Sequence, residues 1–127
     1  MTTTSFATAC LVIFGWAAAS GQVVINEVCP ANADINYDPQ YYNFTGWVEL
    51  YNAGNANVNI GGYYLSDDIT VKNKWRIPNG TTVPAKGFML IWCDDMNNGL
   101  HTSFSMDTDG EDLVLSNGGG SVVDQIV

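Results

Sequence analysis

The stretch Gly46-Trp47-Val48-Glu49-Leu50-Tyr51-Asn52 decides the fold predicted for this chain. Val48 and Leu50 alternate with a second set of side chains that faces the other side of an extended strand: Trp47, Glu49 and Tyr51. Residues 52–55 (Asn-Ala-Gly-Asn) then supply the Gly and Asn that a tight turn requires. We therefore expect a strand that runs directly into a turn, with Val48 and Leu50 in the core.

The chain beyond residue 21 continues this β pattern and contains no helical period of useful length. Short apolar runs alternate with Gly-, Pro- and Asp-rich turns, and the predicted strands are 22–28, 47–52, 58–65, 75–77, 88–93, 102–106, 112–116 and 122–127. Gly61-Gly62 interrupts the strand 58–65 and suggests a bulge or a close backbone approach. The run 88–93 is apolar on both faces, which predicts a central strand. The pattern indicates an all-β sandwich or barrel.

The first 21 residues have the layout of a secretory signal peptide. Residues 6–19 are almost entirely apolar but too few for a comfortable membrane span, and small residues follow around Ala19 and Gly21, where we expect cleavage. The leader lacks Lys and Arg, so an uncleaved anchor and an edge helix are the competing interpretations. We predict a signal peptide at 1–21, a single domain at 22–127, and a secreted or cell-surface location.

The charge balance excludes two classes of partner. The net charge is −9, and the four basic residues all lie between positions 72 and 86. Phosphate backbones and anionic membrane surfaces both require clustered Lys and Arg. We therefore expect no nucleic acid and, after cleavage, no membrane among the partners, and an acidic soluble surface for the domain.

Two cysteines remain once the leader is removed, Cys29 and Cys93. In an oxidising compartment a pair suggests one disulfide, which would close a large loop. Two buried thiols that pack as small hydrophobic side chains are the alternative. Sequence does not supply the Cα separation that decides between them.

The order and spacing of several pieces resemble the lamin-tail domain, an immunoglobulin-like β-sandwich. The pieces are 24–28, 46–52, 58–67, 75–78, 87–92, Phe104, 110–115 and 123–124. Two further pieces, 74–78 and 91–102, look more like a bacterial branch in which the domain follows a signal peptide and precedes a spore-coat-H-like kinase domain. The resemblance implies a non-catalytic module. The family usually continues beyond the last strand present here, so we expect a domain truncated at its C-terminal edge.

Four carboxylates in a predicted turn are the candidate metal ligands: Asp107, Asp109, Glu111 and Asp112. Asp-x-Asp-Gly is similar to the opening of a calcium loop, but strands rather than helices flank it, and an acidic hairpin turn explains the same residues. The acidic pairs at 67–68 and 94–95 would join such a site only if the fold brought the loops together. We expect no cofactor, with calcium as the exception to test.

A zinc site and a catalytic site are both disfavoured. His101 is the only histidine, and no pair of cysteines has metal-ligand spacing. Ser103 or Ser105 would complete a Ser–His–Asp set on paper, but no nucleophile-elbow motif supports it. We predict that this segment is not an enzyme.

Aromatic side chains are the candidate ligand face: Tyr41, Tyr42, Phe44, Trp47 and Tyr51. Clustered aromatics also fold back to plug the end of a sandwich, and Glu49 between Trp47 and Tyr51 is more typical of a structural or rim residue than of a sugar-binding one. The predicted function is a module of an exported protein that serves adhesion, ligand binding or presentation of a neighbouring domain. Its partner would be an extracellular protein, a glycan or a domain of the same chain. The alternatives are an accessory module of a secreted kinase or other enzyme, and a calcium-binding module.

Overall fold

The computed structural model describes residues 11–12, 23–30, 36–41, 45–107 and 112–127. Within these ranges the regular structure is entirely β. Its strands are β1 (Leu11–Val12), β2 (Val23–Cys29), β3 (Trp47–Asn52), β4 (Val58–Asn59), β5 (Tyr64–Ser66), β6 (Trp75–Arg76), β7 (Thr82–Val83), β8 (Phe88–Trp92), β9 (Leu113–Ser116) and β10 (Val122–Ile126). The all-β immunoglobulin-like sandwich that the sequence predicts is confirmed.

The first sheet is antiparallel, has the order β1-β2-β3-β8, and contains the stretch that decides the fold. In β3, Val48 lies opposite Val28 of β2 and Ile91 of β8. Val48 and Leu50 are both completely buried and belong to the core cluster. The predicted alternation is therefore confirmed, and it gives this sheet an apolar inner face.

The second sheet has the order β10-β9-β5-β6 and covers that inner face. Leu113 and Leu115 of β9 and Leu65 of β5 are buried in the shared core, as the alternation in 112–116 predicts. A two-stranded ribbon of β4 and β7 extends the core through Val83. These residues form the hydrophobic interior that drives folding.

Two polar side chains join the elements at the edges of this core. Asp124 of β10 accepts a hydrogen bond at 2.8 Å from the backbone N–H of Ile25, next to an irregularity in the register of β2 with β3. Asn52 is completely buried at the end of β3, where its side chain donates to the carbonyls of Ala56 (2.8 Å) and Val83 (3.0 Å). Its Oδ1 accepts from Gly54 at 2.9 Å, which closes the predicted turn. Asn52 therefore ties that turn to β7.

The single strand predicted at 58–65 is wrong, because the chain forms two strands there that belong to different sheets. The crossing occurs at Gly61 and Gly62, where the sequence suggested a bulge or a close backbone approach. A Cβ on Gly61 would lie 2.8 Å from the backbone nitrogen of Gly80, and Gly62 has φ +85°. Close backbone approach and a left-handed conformation both require glycine at this crossing.

Two further strand predictions are corrected. Residues 102–106 do not form a strand, because only Ser105 makes an isolated bridge there, with Asp94. β8 lies at one end of the described first sheet rather than at its centre, and Phe88 exposes 54% of its surface. The apolar outer side chains of β8 thus form a partly exposed face, not a second buried one.

The predicted leader lies mostly outside the described residues. Leu11–Val12 of that segment form β1, which pairs with Glu27 and Val28 of β2. Export, cleavage and the domain boundaries remain predictions. In the part of the chain that the structure describes, no helix is long and apolar enough to span a membrane.

The candidate disulfide between Cys29 and Cys93 is not formed. Cys29 is disulfide-bonded, and that disulfide does not include Cys93, which is a buried thiol in the core cluster. The register explains the difference. Cys29 and Trp92 both lie opposite Trp47, so their side chains lie on the side of the first sheet that faces away from the core cluster. Cys93 comes one residue after Trp92 and therefore points to the inner face.

Candidate functional site

Three titratable side chains from separate segments meet beside the end of β8: Asp38, Asp94 and His101. Asp38 lies in the connection between β2 and β3. Asp94 begins the loop that follows β8, and His101 ends that same loop. One nitrogen or oxygen of each lies within 4.8 Å of those of the other two. We call these residues the Asp–Asp–His cluster.

The loop 94–101 brings two members of the cluster together by returning alongside β8. Asp94 begins the loop by accepting a hydrogen bond from the N–H of Met96 at 3.1 Å. Left-handed backbone at Asp95 (φ 64°), Asn97 (φ 51°) and Gly99 (φ 57°) then turns the chain sharply. His101 consequently pairs in parallel with Trp92, the last residue of β8.

His101 is held on every side by described residues. Its Nδ1 lies 2.7 Å from Oδ2 of Asp94, and its Nε2 lies 3.1 Å from Oε1 of Gln40. Tyr41 meets the imidazole edge to face at 4.9 Å between ring centroids, and Trp92 stacks on it at 6.4 Å. Only 3% of His101 is exposed, so the ring is fixed in one orientation.

Asp38 is completely buried, and its two oxygens differ. Oδ1 accepts a hydrogen bond from the N–H of Gln40 at 2.9 Å. Oδ2 is buried, receives no hydrogen bond from any described residue, and lies 3.8 Å from Nδ1 of His101. Buried carboxylate oxygens are normally paired, so this oxygen indicates an unmet demand for a proton or a cation.

A second pair of carboxylates lies on the first sheet, on the side that faces away from the core cluster. Glu27 and Glu49 are opposite each other in the register of β2 and β3, and Glu49 accepts a hydrogen bond from Nδ2 of Asn26 at 2.9 Å. Partial burial, and secondarily the Glu49 charge, raise the pKa of Glu27 above its ordinary value. Like charges directly opposite each other disfavour the sheet unless a cation neutralises them.

Two aromatic rings complete this surface, which we call the outer face and define as Glu27, Glu49, Tyr51, Phe88 and Leu90. Tyr51 lies opposite Phe88 in the register, and their rings are 4.7 Å apart. Leu90 lies opposite Glu49. The outer face thus combines negative charge with exposed aromatic surface.

The candidate ligand-face aromatics separate into three groups. Tyr51 belongs to the outer face, and Tyr41 packs on His101. Trp47 is 1% exposed and therefore contacts no external ligand, which corrects that prediction. The chain packs closely here, since a Cβ on the preceding Gly46 would lie 3.0 Å from the carbonyl oxygen of Pro30. Tyr42 and Phe44 lie outside the described residues.

The predicted calcium ligands are only partly described. Asp107 is exposed and Asp112 is half-buried, while Asp109 and Glu111 lie outside the described residues. The calcium site therefore stays a prediction. Within the described part of the chain, the grouping that can offer three metal ligands is the Asp–Asp–His cluster instead.

Sequence reasoning missed that cluster for an identifiable reason. As a metal ligand, His101 was weighed only together with other His and Cys residues, and Asp94 was considered only as half of an acidic pair. A histidine that ends a turn-rich loop begun by an aspartate is a local signal for contact between the two residues. Nothing local marks Asp38, which reaches the cluster from a distant segment.

Ser103 of the hypothetical Ser–His–Asp set is not hydrogen-bonded to His101. The ring nitrogens of His101 face Asp94 and Gln40, and the Ser103 hydroxyl donates to the carbonyl of Lys74 at 3.2 Å. A general base must reach the proton that it abstracts. Ser103 is therefore hydrogen-bonded elsewhere rather than to the histidine.

A family model described as the lamin tail domain matches residues 17–127 of this chain. No curated protein matches this chain.

Proposed function

Because the chain belongs to the lamin tail domain family, whose members are generally non-catalytic immunoglobulin-like modules, we propose that it is a ligand-binding module of an exported protein. Export is inferred from the apolar segment 6–19 and the small residues that follow it. The domain would act at the cell surface or outside the cell. It recognises its partner through a surface of the sandwich rather than through an active site.

The outer face is the surface that carries this proposal. Exposed Phe88 packs against Tyr51 with tilted rings. Tyr51 lies two positions along β3 from Glu49, which is opposite Glu27. A matching ligand has a positive charge to relieve the like-charge pair and an apolar portion to cover the rings. Lysine and arginine side chains combine both, so the ligand is a segment of an extracellular protein that exposes such residues.

The location of this chain's own basic residues agrees with an external source of positive charge. Lys72, Lys74 and Lys86 direct their ammonium groups to the Gly120 carbonyl, the Asp67 carboxylate and the Ala53 carbonyl, and Arg76 donates to Asn79. None of these contacts lies on the outer face. An added cation would therefore meet two carboxylates without competition from these groups.

A backbone-amide NMR titration of the full chain tests this proposal. The probes are a short peptide of alternating lysine and leucine, the same peptide with glutamate for lysine, and a neutral oligosaccharide. We expect the lysine peptide alone to shift signals of residues 27, 49, 51 and 88, with weaker binding at high salt. Phe88→Ala should abolish the shifts, and Val122→Ala, an exposed apolar residue of the second sheet, should preserve them.

The same titration can refute the proposal. Shifts centred on the second sheet would contradict the assigned surface. A response to the oligosaccharide but not to the lysine peptide would contradict the assigned ligand chemistry and favour a glycan. No response to any of the three probes would also contradict recognition by charge and aromatic surface.

Presentation of a catalytic domain is the second candidate function. The pieces 74–78 and 91–102 carry it, because they resemble the branch that precedes spore-coat-H-like kinase domains. The outer face would then contact a domain of the same chain. Reading the gene beyond Val127 tests this: a following domain with kinase-type Asp and Asn metal ligands supports it, and a stop codon contradicts it.

A further inference from the structure

We infer that the Asp–Asp–His cluster binds a divalent transition-metal ion of the zinc type through Oδ2 of Asp38, Oδ2 of Asp94 and Nδ1 of His101. The three side chains expose 1%, 7% and 4% of their surfaces. They come from two separate loops, so an ion bound among them would join the loop 36–41 to the loop 94–101. The site is independent of the outer face and of the predicted acidic turn at 107–112.

The charge of the cluster is the first argument. Two ionised aspartates and a neutral imidazole carry a net charge of −2, and protonation of the imidazole leaves −1. A divalent cation with a neutral imidazole gives zero. Net charge removed from water is costly unless it is compensated, so the divalent state is the one that suits these buried side chains.

The hydrogen bonds of His101 provide the second argument. Nε2 faces the amide oxygen of Gln40, which accepts but does not donate, so Nε2 carries the proton. In the neutral ring, Nδ1 then presents a lone pair toward two carboxylates, which also only accept. A metal ion satisfies all three acceptors together, and Gln40 fixes the tautomer as outer-shell partners of metal-bound histidines do.

The unpaired oxygen of Asp38 is a separate observation that also points to a ligand. An imidazolium would satisfy Asp94, whose Oδ2 is 2.7 Å from Nδ1, but Nδ1 has one proton to give. Oδ2 of Asp38, at 3.8 Å, would remain without a hydrogen bond from any described residue. An ion that contacts both carboxylates removes this defect.

The spacing of the ligand atoms is close to what the ion requires. Neighbouring ligand atoms around a tetrahedral zinc ion lie about 3.3 Å apart, given metal–ligand bonds of about 2.0–2.1 Å. The two distances from Nδ1, 2.7 Å to Asp94 and 3.8 Å to Asp38, lie on either side of that value. Changes of about half an ångström would bring each of these two distances to that value, and the two carboxylate oxygens lie within 4.8 Å of each other.

The donor set selects the class of metal. Calcium and magnesium prefer oxygen ligands alone, whereas an imidazole nitrogen with carboxylates suits zinc and similar ions. The sequence argument against zinc relied on the lack of a second histidine or a cysteine pair. It does not apply to a site whose other ligands are two aspartates.

Thermal unfolding of the EDTA-treated full chain, with ZnCl₂ or CaCl₂ added, tests the inference. An ion that binds only the folded state must raise Tm, and we expect zinc to raise it by about 5 °C or more. Calcium should not bind at this cluster, so any rise in Tm with CaCl₂ should be the same in the wild type and in Asp38→Asn. Asp38→Asn should remove the zinc response. Asp95→Asn is the matched control, because it removes a neighbouring exposed charge at a left-handed position that Asn also tolerates.

Cobalt absorption of the wild-type chain provides evidence that needs no variant to fold. Bound Co²⁺ should give visible bands at one ion per chain, and zinc should displace it. The inference is overturned if millimolar zinc leaves Tm unchanged, if Asp38→Asn keeps the response, if Asp95→Asn loses it, or if cobalt gives no saturable bands. None of these results depends on the lysine-peptide titration, so the two proposals can fail separately.

Discussion

On the inner face of the first sheet Val48, Leu50 and Ile91 are completely buried, whereas on its outer face Phe88 exposes more than half of its surface beside two carboxylates. Both faces are built from the same three strands. The inner face gains stability from apolar burial, and the outer face gains little. The contrast places core packing on one side of β2, β3 and β8 and the proposed binding surface on the other.

The largest expected effect comes from the inner face. Leu50→Ala removes a completely buried side chain and should cost about 3 kcal/mol of unfolding free energy, measured by guanidinium denaturation. Leu90→Ala is the matched control on the outer face, where the leucine is only partly buried. Its loss should be clearly smaller. Equal losses would contradict the division between the faces.

Asn52 sharpens the comparison because it lies on the inner-face side of β3 and yet is polar. Asn52→Ala leaves the carbonyls of Ala56 and Val83 without their donor, and we expect a loss of about 2 kcal/mol. Asn55→Ala, an exposed change in the same turn, should stay within about 0.5 kcal/mol. Urea denaturation measures both variants. A neutral Asn52→Ala would show that the buried amide has no structural role.

The paired carboxylates of the outer face predict a small dependence on pH. Because folding raises the pKa of Glu27, its contribution favours the folded chain below the ordinary carboxyl pKa and is lost as pH rises through the raised pKa. Glu27→Gln should therefore stabilise the domain at pH about 7 by no more than about 0.5 kcal/mol, and less at pH about 4.

Urea denaturation at both pH values measures this difference. Asp95→Asn makes the same change in net charge away from Glu49 and should not reproduce the trend. A Glu27→Gln variant that is less stable than the wild type at neutral pH would refute the like-charge account.

A small effect on stability, but a complete loss of peptide binding, is expected for Phe88. Phe88→Ala removes a side chain that is 54% exposed and should change the unfolding free energy by less than about 1 kcal/mol, while it abolishes the response to the lysine peptide. A large loss of stability in the same denaturation assay would make Phe88 a core residue and remove it from the proposed binding surface.

The strands that the sequence predicted well are those whose side chains alternate. Val48 with Leu50, and Leu113 with Leu115, follow the period of two that a half-buried strand imposes. The run 88–93 lacks this alternation, and its predicted central position was wrong. Apolar side chains on both faces do not distinguish a central strand from an end strand with an exposed aromatic face. Gly61 and Gly62 indicated an irregularity in the strand. That the chain crosses there from one sheet to another depends on tertiary contacts such as the close approach of Gly61 to Gly80, which sequence does not show.

The Asp–Asp–His cluster was beyond the sequence because it depends on how two loops meet. Asp94 and His101 are seven positions apart on one loop. Gln40, which contacts the imidazole from the other loop, lies 61 positions from His101, and Asp38 lies on that same distant loop. The choice between a Cys29–Cys93 disulfide and buried thiols was open for a similar reason, because the face on which each sulfur lies depends on strand register. Local patterns report periodicity and turns, whereas these features require the assembled sandwich.

The most direct test of the inference that the Asp–Asp–His cluster binds a metal ion is X-ray diffraction from zinc-grown crystals of the full chain. Data collected above and below the zinc absorption edge locate the ion. The account predicts an anomalous peak shared by Asp38, Asp94 and His101, with Gln40 still on Nε2. A fully occupied zinc peak elsewhere, or a direct hydrogen bond between Asp94 and His101 with no peak between them, would contradict it.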